Sequence, residues 1–379
     1  MDVDVTIVGG GVVGVACAAA LAAPSRSVLL IERNARLGLE TSSRNSGVIH
    51  AGIYYAEGSL KARLCVEGRE RLYRHCVERG VPHRRIGKLI VATDPREEEA
   101  LESIRRRAEA NGVSSLVPLD APQLRALEPE VRATAALHSP ETGIVDALAL
   151  VASLWREAQD GGAELVLGTE VGALDRVRDG WRVTTATRGG GRSEHTSRLV
   201  VNAAGLASDT IAARAGIDVD AAGYRIHAIK GDYVSVAPAA ARRVSRLVYP
   251  VPPAAGHGLG VHWTLDLEGR ARLGPDATWI DRDAPSYAVD ATKCARFLEG
   301  ARRFLPFLAL EQLAPESSGI RPSRRAPGAP EQDFVVAHES ARGLPGLVNL
   351  IGIESPGLTS CLAIAAHVRA LLASADLLD

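Results

Sequence analysis

The sequence predicts an α/β protein, of mixed α+β character, in which a discontinuous dinucleotide-binding domain carries an inserted domain of mixed β-sheet. Three observations predict it. "VTIVGGGVVGVACAAALAA", Val5 to Ala23, reads as a strand joined to a helix through glycines. Two more strand-to-helix junctions through small residues lie far downstream, "RLVVNAAGLASD" at Arg198–Asp209 and "LVNLIGIESPGLTS" at Leu347–Ser360, so one domain is assembled from distant parts of the chain. Between about Tyr224 and Arg325, the runs "GDYVSV", "LVYPV", "GLGVHWT" and "RARLGP" read as an inserted sheet. A chain of 379 residues is also long for one hydrophobic core. The expected division places residues 1–85, 145–223 and 326–379 in the nucleotide domain and 86–144 and 224–325 in a substrate domain.

The elements follow in order. Val3–Val8, Val12–Ala23 and Ser27–Glu32 form a βαβ unit. The apolar run inside it is long enough to suggest a membrane span or signal sequence, but Asp2 and Asp4 stand where a basic segment belongs, and Gly and Ala replace Leu and Ile. An amphipathic helix is expected from Leu60 to about Arg79. A strand in "GKLIVAT", Gly87–Thr93, and a charged helix, Arg96–Ala110, come next. A helix over Asp146–Gln159 leads into "AELVLGTEV", Ala163–Val171, and a hairpin strand "WRVTTAT"; Gly189–Gly191 is a turn.

Composition excludes several classes of partner. Lys and Arg total 44 against 45 Asp and Glu, the net charge is −1, and the basic residues are interspersed with acidic ones, so no nucleic-acid partner is expected. The five cysteines are scattered and form no CxxC pair, which argues against a disulfide framework or a zinc site and for a reducing, cytoplasmic setting. Peripheral attachment to the inner membrane face stays open.

Gly9, Gly11 and Gly14 match G-x-G-x-x-G directly after a strand and at the start of a helix. Gly9 allows the turn, Gly11 lets backbone approach a pyrophosphate, and Gly14 lets helix and strand pack closely. The phosphates would meet the positive helix end near Val12 and Val13. Glu32, ending the second strand before Arg33, is placed to accept hydrogen bonds from a ribose. The motif specifies a dinucleotide and does not separate NAD from FAD.

The βαβ motif, "SSRNSGVIHAGIYY", "GSLKARLC", "GKLIVAT", "NAAG", "KGDY", "LVYPVP", "GLGVHWT", "SGIRP" and "GIESPGLT" occur in this order along essentially the whole chain. In these segments the chain resembles the FAD-dependent D-amino-acid oxidase superfamily, and within it the L-2-hydroxyglutarate dehydrogenases and oxidases. The resemblance implies a glutathione-reductase-like FAD domain and a substrate domain whose sheet roofs the flavin. It implies that Thr41, Ser42, Ser43, Arg44, Asn45 and Ser46 meet the pyrophosphate and ribityl chain, with Gly47, Val48 and Gly52 giving close backbone approach to the flavin. His50, Tyr54 and Tyr55 would line the ring or the cavity above it. Val171, Ala204 and Gly205 would serve the adenine half; Gly352, Ser355, Gly357, Leu358 and Thr359 would present a helix N-terminus to the flavin.

Oxidation of a 2-hydroxy acid sends hydride to the flavin and needs a base for the hydroxyl proton, a role suited to histidine. His262 is favoured slightly over His50, which could instead orient the flavin. The carboxylate needs a cation, and Arg321 in "GIRP" is the strongest candidate, close enough to the ring to count as a cofactor contact too. Tyr54 and Tyr249 are placed at the substrate, and a dicarboxylate needs a second anchor, with Lys61, Arg63, Arg324 and Tyr249 unranked; Lys230 lies over the flavin or merely opens a strand. Two departures from the family pattern, Ser42–Ser46 where Thr-Gly-His-Asn-Ser is common and Ser323 where a lysine is common, leave a paralogue acting on another hydroxy or amino acid open. The expected activity is oxidation of a small carboxylic acid, L-2-hydroxyglutarate first, with electrons passing to a quinone or oxygen. An amine or amino-acid oxidase of glycine or sarcosine oxidase type is the alternative; an NAD-dependent dehydrogenase and a silent flavin-binding module are further ones.

Overall fold

The computed structural model describes residues 1–252 and 260–378. The first of its two large sheets has eight strands among the described residues. Its centre is parallel, in the order Glu164–Val166, Val28–Ile31, Val3–Val8, Arg192–Asn202 and Leu347–Ile351. Val28–Ile31, Leu347–Ile351 and the Leu199–Val201 part of its neighbour are apolar runs because both faces are covered there. Helices Val12–Leu21, Ala147–Asp160 and Gly357–Ala373 pack against one another beside this sheet, and Val5, Ile7, Leu30, Leu154, Val348 and Ile364 are buried in their common core. A hairpin, Thr169–Val177 with Gly180–Thr187, extends the sheet by antiparallel pairing to Arg192–Ser197. Parallel strands joined by crossover helices put all the strand C-termini on one edge, where ligands bind in such sheets.

The second sheet has nine strands among the described residues. His227–Val236 is its spine, flanked on one side by Thr278–Ile280 and Ala271–Leu273 and on the other by Leu313–Ser323. The sheet continues through Trp263–Leu265, Leu247–Pro250, Lys88–Ala92, Ala135–Ser139 and Val117–Asp120. Lys88–Ala92 comes from the segment before residue 145, so two stretches of chain build one sheet. Alternate residues Ile229, Gly231 and Tyr233, and Gly319, Arg321 and Ser323, face a common cavity beneath it, as the two-residue strand period requires.

The two sheets meet through specific contacts. Arg282 Nη1 reaches both carboxylate oxygens of the buried Asp209, at 2.6 and 2.7 Å, and Asp209 also accepts from the Ile226 amide at 3.0 Å. Gly319 lies so close to Arg44 that a Cβ there would sit 2.0 Å from the Arg44 carbonyl oxygen. A small three-stranded sheet of Val48–Ile49, Gly143–Val145 and His83–Arg84 fills the junction.

Several expected elements start or end differently. The first helix stops at Leu21, and "AELVLGTEV" is two strands broken at Gly168, which takes φ +64°. Of the expected "GLGVHWT" strand, Gly258 and Leu259 lie outside the described residues, and the strand begins at Trp263, just after His262. Leu313–Ser323 is a strand despite Pro315 and Pro322; among the described residues it pairs only with His227–Val236, so its prolines are tolerated on an edge. No helix among the described residues is long and apolar enough to cross a membrane.

Candidate active site

A cavity of about 800 Å³ runs between the two sheets. At one end the glycine turn forms its floor. Gly9 takes φ +107°, and a Cβ there would lie 2.5 Å from the Ala203 carbonyl oxygen. Gly11 faces the cavity and caps the first helix with no side chain, and no acidic residue lies in that helix's first turn. The positive helix end is therefore left for an anion. Glu32 is buried at the C-terminus of the second strand and accepts from the Gly10 amide at 2.6 Å and the Asn34 amide at 2.7 Å. A carboxylate has lone pairs beyond these two, so it can also meet a ribose. Val12, Val13, Arg33, Val171, Ala204 and Gly205 line the same end, with Glu170 and Arg214 beside them.

Gly14 lies outside the wall and serves packing. A Cβ there would come within 2.0 Å of the Gly9 carbonyl oxygen, a backbone atom that cannot swing aside. Gly14→Val is expected to push helix from strand, abolish flavin retention and lower the melting temperature; flavin absorbance per mole of purified protein, with a thermal melt, checks it.

The middle of the cavity is walled by Thr41, Ser42, Arg44, Asn45 and Ser46. Asn45 organises this turn, donating to the Ser42 carbonyl at 2.7 Å and accepting from the Gly47 amide at 2.8 Å. Ser42 Oγ accepts from the Val12 amide at 2.9 Å, tying the loop to the helix N-terminus. The Arg44 guanidinium stacks 4.1 Å from the Tyr287 ring centre, so its charge rests on an aromatic face. Ser43 and Gly47 do not reach the wall; Ser43 donates to the Glu40 carbonyl, and Gly47 takes φ +66° to complete the turn.

The far end carries the chemistry-bearing side chains His50, Tyr54, Tyr55, Tyr233, Tyr249, His262 and Arg321. The His50 amide donates to Thr359 Oγ1 at 3.0 Å, and its Nε2 lies 3.4 Å from Ser355 Oγ. Burial, and then the charge of Lys88, pull its imidazole down to about 3, so it is neutral at physiological pH. The His262 ring stacks on Tyr249 with centroids 3.6 Å apart and planes 6° from parallel. Burial holds the phenols of Tyr54, Tyr55 and Tyr249 above their usual range, keeping them protonated. Arg321 donates to the Asp276 carbonyl at 3.3 Å, and the Asp276 carboxylate is held by Lys293 at 2.7 Å and the Asp232 amide at 2.8 Å.

Helix Gly357–Ala373 begins at this end, with no side-chain cap and no acid in its first turn; Ser355, Gly357 and Leu358 line the wall. Thr359 is buried behind it, bonded to the backbone of Val48 and His50, and Gly352 packs under Arg324 with φ +70°. The cavity is thus bounded by two open helix N-termini, a glycine cradle and the buried Glu32 carboxylate, a set of groups that fits a flavin dinucleotide.

Of the other cations weighed from the sequence, Lys61 pairs with Glu354 at 3.2 Å and Glu331 at 3.3 Å, Arg63 is exposed, and Arg324 donates to the Gly223 and Asp333 carbonyls. Lys230 pairs with Asp232 at 3.2 Å. Sequence reasoning missed Asp276, Lys293 and Lys88, since nothing in their local pattern distinguishes them from strand ends and surface charges. The five cysteines are free and buried, and burial lifts Cys17, Cys65, Cys76 and Cys361 to about 12, so none is a thiolate. Among the described residues no His/Cys/Asp/Glu cluster could hold a metal.

Comparisons with known proteins complete the description. The family model DAO, FAD dependent oxidoreductase, matches residues 4–371. A mitochondrial L-2-hydroxyglutarate dehydrogenase of Arabidopsis thaliana is 39% identical over 97% of this chain and 82% of its own. One from Caenorhabditis elegans, also named mitochondrial, is 32% identical over 96% and 91%. The dithionite-reduced L-α-glycerophosphate oxidase of Mycoplasma pneumoniae with FAD bound superposes with a TM-score of 0.86 at 29% identity, covering 98% of this chain and 94% of that one. The cytoplasmic placement expected from cysteine usage is overturned by these relatives, whose names place them in mitochondria.

Proposed function

The chain belongs to the DAO family of FAD-dependent oxidoreductases, and from that premise we propose that it oxidises L-2-hydroxyglutarate to 2-oxoglutarate. The observation that carries this reading is the pairing, in one cavity wall, of the fork-shaped cation Arg321 with the imidazole of His50, whose Nε2 lies beside Ser355 Oγ. FAD, when bound, supplies a two-electron acceptor at flavin N5. Arg321 binds the carboxylate next to the reacting carbon, bidentately and in an orientation fixed through the Asp276 carbonyl. His50 accepts the hydroxyl proton at its imidazole as the Cα–H bond breaks. Tyr233, Tyr249 and His262 wall the same end of the pocket with their rings, Tyr249 and His262 stacked face to face. The uncapped N-terminus of helix Gly357–Ala373 offers amide donors to negative charge developing beside it.

The choice of His50 as base, reversing the sequence preference for His262, is supported by their surroundings. The His262 ring is packed face to face on Tyr249, whereas His50 adjoins Ser355 in the loop that starts the cofactor-facing helix. Electrons then leave for a second acceptor, a quinone or oxygen. The test is product analysis under turnover: 2-oxoglutarate formed one-for-one with acceptor reduced supports the reading. Ammonia release from an amino acid, with no oxidation of the hydroxy acid, would transfer the protein to the amine-oxidising branch.

A further inference from the structure

Lys88 is 1% exposed, on a strand in the middle of the roof sheet. A lysine in that position is costly unless something answers its charge. Among the described residues its ammonium has neither a salt-bridge nor a hydrogen-bond partner. What surrounds it is aromatic: Nζ lies 4.7 Å from the Tyr54 ring centre and 4.9 Å from that of Tyr249. Both tyrosines line the cavity, while Lys88 stands one layer behind them. The Tyr54 hydroxyl is itself buried and has no hydrogen-bond partner among the described residues. An unanswered cation and an unanswered phenol thus stand together, in a wall to which Arg321 and His50 also contribute.

We propose that Lys88 and the Tyr54 hydroxyl form the subsite for the second carboxylate of a dicarboxylate substrate, Tyr54 by direct donation and Lys88 as the ammonium behind it that the arriving carboxylate holds in its charged form. The inference rests on the functional reading above and supplies the anchor that reading lacks. The cations weighed from the sequence are already engaged or remote: Lys61 is shared by two glutamates, Arg324 is spent on backbone carbonyls, and Arg63 is exposed. Burial draws the Lys88 ammonium down to about 7, so an arriving carboxylate would favour its charged form. Cation–π contact with two rings keeps the charge at a set depth without neutralising it, as a carboxylate partner would.

The test compares ligands that differ only in the second carboxylate. Binding of glutarate and of valerate to oxidised holoenzyme is read from perturbation of the flavin spectrum, and flavin reduction is followed with L-2-hydroxyglutarate and L-2-hydroxyvalerate. Lys88→Met should weaken glutarate binding and raise the half-saturating L-2-hydroxyglutarate concentration about 30- to 100-fold, leaving both monocarboxylates within about threefold. Tyr54→Phe keeps the ring under the cation, so it tests the subsite even if the lysine variant misfolds. It should cost about tenfold on the dicarboxylates alone. Equal losses on both ligand classes, or none on either, would overturn the proposal. The glutarate comparison needs no turnover, so it judges Lys88 even if the wild type fails to oxidise L-2-hydroxyglutarate, an outcome that would refute the functional reading instead.

Discussion

Replacing His50 with asparagine is expected to slow anaerobic flavin reduction by L-2-hydroxyglutarate about 10²- to 10⁴-fold, the usual worth of a positioned base, while FAD stays bound. Asparagine keeps a planar, neutral hydrogen-bonding side chain and leaves the backbone hydrogen bond from residue 50 to Thr359 untouched. The loss should therefore appear in the rate of reduction and not in flavin content. The pH profile sharpens the test. Burial and Lys88 lower the His50 imidazole to about 3, so its proton-accepting neutral form is depleted only as pH falls through that value. Wild-type reduction should show no acid limb near 6.5, where an ordinary histidine titrates. A limb there that disappears on replacement of His262 would make His262 the base.

Arg321→Met is the second large effect, expected to raise the half-saturating concentration of substrate about 10²- to 10³-fold, the scale of removing one partner from a buried, hydrogen-bonded charge pair. The side chain projects from an edge strand whose neighbours Gly319 and Ser323 face the same cavity, and it is held by the Asp276 carbonyl. Asp276 is in turn clamped by Lys293 and the Asp232 amide, so the fork is set before substrate arrives. Arg321→Lys should recover little, because an ammonium cannot reproduce two parallel donors. Steady-state kinetics with flavin content measured alongside check both variants; unchanged saturation would remove Arg321 from the site.

The glycine cradle and its strands were legible because their signal is local. Gly9, Gly11 and Gly14 are punctuation that only a tight turn and close helix packing require, and the flanking apolar runs fix the strands. The roof was harder to read. Leu313–Ser323 carries two prolines and a polar centre, a pattern that argues against a strand until its edge position is known. The site divides in the same way. Arg321 and His50 sit in segments distinctive enough to single out. Lys88 opens an apolar strand, where a lysine reads as a solvated end, and only the third dimension shows it closed in behind Tyr54 and Tyr249. Asp276 and Lys293 likewise act across 17 residues of sequence separation, by a contact no periodicity announces.

The most direct measurement is the anaerobic visible spectrum of the purified holoprotein, before and after L-2-hydroxyglutarate, with the D-enantiomer and several L-amino acids in parallel. Rapid loss of the oxidised flavin band with the L-hydroxy acid alone is the predicted result. Bleaching by an amino acid and not by L-2-hydroxyglutarate, or by the D-enantiomer in its place, would contradict it.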